Sequence, residues 1–333
     1  MSESVTYCLE NAGRGGGRRK LSYMSSTYAL FEKDKEIGVS DGTPIRYTVR
    51  GAGNGPAIVL ANGWSCSDAY WITLGPDLVE RGHRVILADT RGHGESGLPR
   101  PPGFKGRNIT NEDMSVERIA LDLLEVATVE GAEHAVFVGH SMGVQTILEA
   151  YRQAPELVVG LVAIAGPYEN PLNTFYGRGF WNHLFPLGRV AVTAMPGFLT
   201  KAWWKVGDNA AFGLKAAQAL GAAGPKVTAE LLAPYITHLS TRDPVILFKA
   251  IDGMRRHSAA DLLPDVKVPV LNLVAGQDRF TPPAVQRHMH DVLPDSEIVE
   301  FDDATHCLPI EEPEAITDAI ENFLAKRVAL HVS

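Results

Sequence analysis

Two kinds of apolar pattern take turns along the chain. The first is the short run that is apolar at nearly every position: "PAIVLANG" from Pro56, "HRVILADT" from His83, "HAVFVGH" from His134, "VVGLVAIAG" from Val158 and "VPVLNLVAG" from Val268. Runs this short and unbroken predict strands buried on both faces, as in a parallel sheet. "SEIVEFDD" from Ser296 alternates instead and predicts an edge strand. "KEIGVSDGTPIRYTVRG" from Lys35 predicts a hairpin, with Asp41-Gly42 as a two-residue turn. The second pattern is helical. In "SVERIALDLLEVATVEG", Val116, Ile119, Ala120, Leu123, Leu124 and Ala127 fall on one face, with Ser115 as N-cap and Gly131 as stop. "MGVQTILEAYRQA" and "PEAITDAIENFLAKRV" repeat that period. Strands alternating with helices predict an α/β fold: a mostly parallel sheet with helices on both faces.

The alternation stops between Pro167 and Gly253. No strand pattern occurs there, and helical pieces such as "NAAFGLKAAQAL" are punctuated by Gly and Pro. The segment is rich in aromatic residues, among them Phe175, Phe180, Trp181, Trp203 and Trp204. Residues 167–253 are therefore read as a helical cap inserted into a core formed by residues 29–166 and 254–333. Residues 1–28 are Gly- and Arg-rich without an apolar run behind them, which predicts a disordered tail rather than a signal peptide.

Composition narrows the partners. At 45% hydrophobic residues over 333, the chain can bury a large core, and a net charge of -8 argues against nucleic acid or an anionic membrane. No run approaches the roughly 18 apolar residues of a membrane span. The cysteines Cys8, Cys66 and Cys307 are too few and too scattered for a disulfide framework or a zinc site, and a reducing, cytoplasmic setting is expected. His288 and His290 are two apart on a predicted helix and face different ways, so no metal site is expected.

The chemistry gathers at "GHSMG", Gly139 to Gly143. Here a G-x-S-x-G pattern follows a strand and precedes a helix, the context of a nucleophile elbow. Gly139 and Gly143 give room for the sharp turn, and Ser141 is the candidate nucleophile. The Met142 amide, at the helix N-terminus, can donate to a developing oxyanion. A serine hydroxyl needs a base. His306, in "DDATHCLPIEEPE" after the last strand, is chosen over His93, His140, His238 and His257 by its order and position. The base needs a carboxylate to fix its tautomer. Asp278 follows a buried strand in "GQDRFTPP" and is preferred to Asp302 and Asp303.

The order Ser141, Asp278, His306 resembles that of the α/β-hydrolase superfamily, a likeness running from about Lys35 to Val328. "ADTRGHGES" from Ala88 and "ANGWSCSDAYW" from Ala61 are similar to the family's segments after its fourth and third strands. The resemblance implies the α/β-hydrolase fold and makes the Trp64 amide the second oxyanion donor. One departure is Asn62-Gly63, where most relatives have His-Gly. Asn62 is expected to hold its loop through the side-chain amide. Within this superfamily an Asp nucleophile marks haloalkane dehalogenases and epoxide hydrolases, and Cys marks dienelactone hydrolases, so Ser141 disfavours those. The expected activity is hydrolysis of small to medium apolar carboxylic esters or lactones through an acyl-enzyme, without cofactor. Phe175, Phe180, Trp181, Trp203 and Trp204 are expected to supply substrate contacts. Alternatives are a C–C bond or enol-lactone hydrolase of aromatic catabolism, a cofactor-free haloperoxidase-like perhydrolase, or a non-catalytic ligand-binding member of the fold.

Overall fold

A computed structural model describes residues 32–98, 109–194 and 209–329. The unbroken apolar runs become the middle of one eight-stranded sheet. Its strands are β1 (Lys35–Gly38), β2 (Pro44–Arg50), β3 (Ala57–Ala61), β4 (Val85–Ala88), β5 (Ala135–His140), β6 (Val158–Ile164), β7 (Val270–Ala275) and β8 (Ser296–Phe301). Their spatial order is β1-β2-β4-β3-β5-β6-β7-β8. The β1–β2 and β2–β4 pairs are antiparallel, and every pair from β4 to β8 is parallel.

Period-two geometry explains why the central strands are apolar throughout. Val59 of β3 and Phe137 of β5 enter one core, while Ile58, Leu60, Val136 and Val138 enter the core on the opposite face. Each buried side chain of this size contributes about 1.5–3 kcal/mol. The first core is closed by α2 (Val116–Val129) and α3 (Met142–Gln153), through residues such as Leu123, Leu124, Val144 and Ile147. The second is closed by α1 (Leu74–Glu80) and the C-terminal helix Pro313–Phe323, through Leu74, Leu78, Ile316 and Ile320. Ser115 caps α2 as its sequence predicts, accepting the Arg118 amide at 3.2 Å.

Three local details differ from the sequence reading. The β1–β2 turn is not a two-residue turn on Asp41-Gly42. The Gly42 amide donates to Val39 O, so Ser40 and Asp41 are the central residues, and Gly42 follows them at φ 83°. That is a three-residue turn, whose extra left-handed position requires the glycine. The last helix does not run unbroken to Val328; after Phe323 it widens into a π turn, Leu324–Val328. The turn sets Val328 over Gly160 of β6, where an added Cβ would stand 2.9 Å from the valine methyl. β8 is the edge strand, yet its side chains do not alternate cleanly between buried and exposed. Its charges are paired instead, Glu300 with Arg287 at 2.8 Å and Glu297 with Arg327 at 2.7 Å.

Among the described residues, no strand lies between β6 and β7. The helices there are α4 (Trp181–Ala194), α5 (Ala210–Ala219), α6 (Ala229–Thr241) and α7 (Pro244–Arg256). Asn209, Thr228 and Asp243 cap the last three through their side chains, each accepting a first-turn amide. Ala223, Val227, Leu232 and Ile236 form one apolar cluster with Cys66 and Tyr70, which follow β3, and Cys307 and Ile310, which follow β8. The helical segment therefore sits on loops at the carboxyl end of the sheet. α7 continues through position 253 and lies against α2's entry, where a Cβ on Gly253 would meet Met114 O at 2.4 Å.

Candidate active site

β5 ends at His140 and α3 begins at Met142, so Ser141 alone makes the turn between them. It adopts φ 56°, ψ −119°, a left-handed conformation that costs about 1–3 kcal/mol for a residue with a Cβ. The surroundings hold it there. Its amide donates to Ile164 O at 3.0 Å, and its carbonyl accepts from the Val144 amide at 2.9 Å. A Cβ on Gly139 would stand 2.3 Å from Gly143 O, and one on Gly143 would stand 2.2 Å from Ala61 O. Both glycines are thus required by close approach. Gly166, just past β6, is a third: its Cβ would lie 2.4 Å from Ser141 O. Sequence reasoning passed over it because it lies outside the motif.

The structure brings Ser141, His306 and Asp278 together. His306 Nδ1 lies 2.7 Å from Asp278 Oδ2 and donates to that carboxylate. Nε2 is then the bare nitrogen, and it accepts the Ser141 hydroxyl at 3.0 Å. The other carboxylate oxygen of Asp278 accepts the amides of Phe280 at 2.7 Å and Thr281 at 3.0 Å, which fixes the plane of the acid. All three residues are buried, whereas Asp302 and Asp303 are exposed. The competing histidines are engaged elsewhere: His93 with Arg91 O, His140 with His306 O, His238 with the Gly94 amide and His257 with Glu149.

The His306 loop is tied to the helical segment above it. Glu311, buried, accepts the Thr305 amide and hydroxyl at 2.6 Å each and the Gly224 amide at 2.7 Å. The Cys307 amide donates to Ala222 O at 3.1 Å. Neither Glu311 nor this turn was legible in the sequence, since nothing local marks a carboxylate that works through backbone amides of a distant turn. The thiol of Cys307 is pushed up to about 12 by burial, and burial raises that of Cys66 as well. Both stay protonated near neutrality, so neither presents a thiolate beside Ser141.

The loop after β3 is held as its asparagine suggests. Asn62 donates to Ala88 O at 2.9 Å and accepts the Trp71 indole N–H at 2.7 Å. Trp64 sends its own indole N–H to Leu247 O of α7 at 2.9 Å. Its ring packs with Met142 in one cluster that also holds Val116, Ile119 and Met254. The two residues expected to supply oxyanion donors are therefore neighbours. Met142 occupies the first helical position, where the amide has no partner within the helix.

Of the aromatic residues expected at the substrate, Phe175 and Trp181 connect to the site and Phe180 faces outward, 43% exposed. The connection runs through Phe280, which sequence reasoning missed although it stands two residues after Asp278. The Phe280 ring is 5.1 Å from the His306 ring and stacks on Phe175 at 4.9 Å. Trp181 meets Phe175 edge-on at 5.7 Å, and Phe180 stacks on Trp181 at 4.6 Å. The Tyr176 amide donates to Arg279 O at 2.7 Å, tying this aromatic cluster to the Asp278 loop. Trp203, Trp204 and the segment 1–28 lie outside the described residues. Among the described residues no group of three His, Cys, Asp or Glu side chains could hold a metal ion, and no helix is long and apolar enough to cross a membrane.

A serine on a strand–helix turn, a histidine in contact with it and a carboxylate behind the histidine, on a sheet of this order, agree with a wider comparison. The model of the alpha/beta hydrolase family matches residues 58–319. The chain belongs to that family. An Escherichia coli protein bearing the name "Putative carbamate hydrolase RutD" is 26% identical over 276 residues, 81% of this chain and 91% of the relative. Similar solved structures include a hydrolase from Pseudomonas aeruginosa PA01 (TM-score 0.68, 20% identity, 87% of this chain and 97% of the other) and the enol-lactonase from Burkholderia xenovorans LB400 (0.66, 21%, 88% and 100%). A thermophilic esterase from Thermogutta terrifontis gives 0.64 at 23%, covering 88% and 98%. These structures share the fold of this α/β hydrolase. Its substrate has to be argued from the site.

Proposed function

We propose that the chain is a serine hydrolase that cleaves carboxylic esters or lactones of small to medium apolar substrates through an acyl-enzyme. The observation that carries the reading is the continuous contact from Ser141 Oγ through the His306 ring to Asp278, 3.0 and 2.7 Å, on a serine held in strained backbone geometry. His306 takes the hydroxyl proton as Ser141 attacks the carbonyl carbon. The Met142 and Trp64 amides receive the developing oxyanion. His306 then protonates the leaving oxygen, and water activated by the same ring releases the acid. Asp278 keeps the base in the tautomer that leaves Nε2 bare. Every step uses groups of this chain and water alone.

The preference for apolar substrates rests on Phe280, Phe175 and Trp181, stacked outward from His306. Pockets that bind small molecules are mostly apolar with few polar groups. The name carried by the Escherichia coli relative adds carbamates to the substrates worth testing, since a carbamate carbonyl would meet the same nucleophile and oxyanion donors. The experiment is a panel of p-nitrophenyl esters, γ- and δ-lactones, aryl carbamates and vinylogous diketones at equal concentration. Esters or lactones should turn over with the highest kcat/KM. Turnover of the diketone alone would replace ester hydrolysis by C–C bond cleavage, and no turnover of any member would favour a ligand-binding role.

A further inference from the structure

His140 is the last residue of β5, directly before the proposed nucleophile. It is 1% exposed. One face stacks on Tyr70, ring centres 4.6 Å apart and 20° from parallel, and its ring centre lies 5.1 Å from that of His306, the two planes 47° apart. Its Nε2 is 2.8 Å from the backbone carbonyl of His306. A carbonyl only accepts, so Nε2 carries the proton and donates. Nδ1 has no partner among the described residues, and it lies 3.2 Å from the point where a Cβ on Gly63 would stand. The ring therefore touches three loops at once: it is the chain neighbour of Ser141, it holds the His306 backbone, and it abuts Gly63 beside Trp64.

The ring's charge follows from the same surroundings. A second proton on Nδ1 would find no acceptor. The titratable groups facing it are His306 and Tyr70, with Cys307 behind them on the Tyr70 hydroxyl at 3.3 Å, and none of them offers a negative charge near neutrality. Burial, and then the proximity of His306, hold its pKa well below the usual histidine value.

We propose that His140 is a positioning residue: as a neutral imidazole it donates Nε2–H to the His306 carbonyl and so sets the distance from His306 to Ser141. The inference rests on the serine-hydrolase reading and adds to it a residue that touches no substrate. It predicts that the hydrogen bond, not the ring, is what matters. Glutamine carries its amide nitrogen the same number of bonds from Cα as histidine Nε2, and asparagine the same number as Nδ1. His140→Asn should then lower kcat by about tenfold or more with KM within about twofold, the signature of a contact needed only in the transition state. His140→Gln should recover most of that loss. Its acidic pH limb should superimpose on the wild type's, because no nearby charge has been removed.

The measurements are kcat, KM and pH profile on the best ester of the panel, with thermal midpoints and the rate of Ser141 modification by a phosphonofluoridate. Asparagine matching wild type, or glutamine falling as far as asparagine with its midpoint intact, overturns the positioning role. An acidic limb that moves up in His140→Gln overturns the neutral state. Should His140→Asn fail to fold, His140→Gln decides alone: kcat within about threefold of wild type supports the donor role, and a loss beyond tenfold with an intact fold sinks it. Failure of wild-type protein to be modified at Ser141 would instead contradict the serine-hydrolase reading.

Discussion

At the scale of single residues, the account depends on which carboxylate supports His306. Asp278 is buried, bonded through Oδ2 to Nδ1 and through Oδ1 to two amides. Asparagine there keeps the shape but presents N–H or a neutral oxygen to the ring, so the tautomer with a bare Nε2 loses its advantage. Asp278→Asn should therefore lower kcat about 10³–10⁴-fold with the fold retained. Asp302→Asn and Asp303→Asn, on exposed side chains, should stay near wild type in the same ester assay. The opposite ranking would assign the acid to the wrong loop. That Ser141, Asp278 and His306 come together was legible in the sequence, because a serine on a strand–helix turn, a carboxylate after one strand and a histidine after the next follow a local grammar. His140, Phe280 and Glu311 were not, since no local motif marks their roles and each acts on a partner 26 or more residues away, His306 for the first two and Gly224 for the third.

At the scale of elements, the helical segment between β6 and β7 carries the proposed specificity. Its apolar cluster joins the loops after β3 and β8, and Phe175 and Trp181 reach His306 through Phe280. If these rings form a wall of the substrate site, each methylene buried against them adds up to about 0.8 kcal/mol. The kcat/KM of p-nitrophenyl esters should rise with acyl length and then drop once the site is full. Phe280→Ala and Phe175→Ala should move that optimum to longer chains, while phosphonofluoridate still modifies Ser141. A flat profile unaffected by either change would leave the segment as structural cover. The sequence marked this segment as strandless and aromatic. It did not mark the packing, because the Ala-rich α5 lacks a strong apolar face and the partners of the segment's apolar cluster are loops far away in the chain.

At the scale of the whole molecule, the central strands were legible because burial on both faces leaves no polar position to blur them. The order in which they pair was not read from the runs, since β3, β5 and β7 are all predominantly apolar and buried. The β1–β2 turn was misread because Asp-Gly serves two turn lengths, and only the hydrogen bonds from Gly42 to Val39 and from Val39 to Thr43 separate them. Acid stability is a property of this scale. His93 and His140 are both buried, and burial lowers the first to about 4 and the second well below its usual value. At these two positions the unfolded chain then binds more protons than the fold below about pH 6.5, and their contribution to stability falls as pH drops from there toward 4. Each histidine contributes up to about 1.4 kcal/mol per pH unit. The urea midpoint should decline between pH 7 and pH 5. His93→Asn, which keeps a donor where Nδ1 meets Arg91 O, should reduce the decline. A midpoint equal at both pH values would contradict the buried neutral state.

The central claim is that Ser141 is a nucleophile made reactive by His306, and the most direct measurement is the mass of the protein after exposure to a phosphonofluoridate. Wild-type protein should gain the mass of one phosphonyl group, mapped to the peptide containing Ser141, and lose ester turnover in step with that gain. Ser141→Ala should gain nothing, and His306→Ala should react slower by orders of magnitude. Stoichiometric modification at another residue, or full ester turnover by Ser141→Ala, would contradict the account.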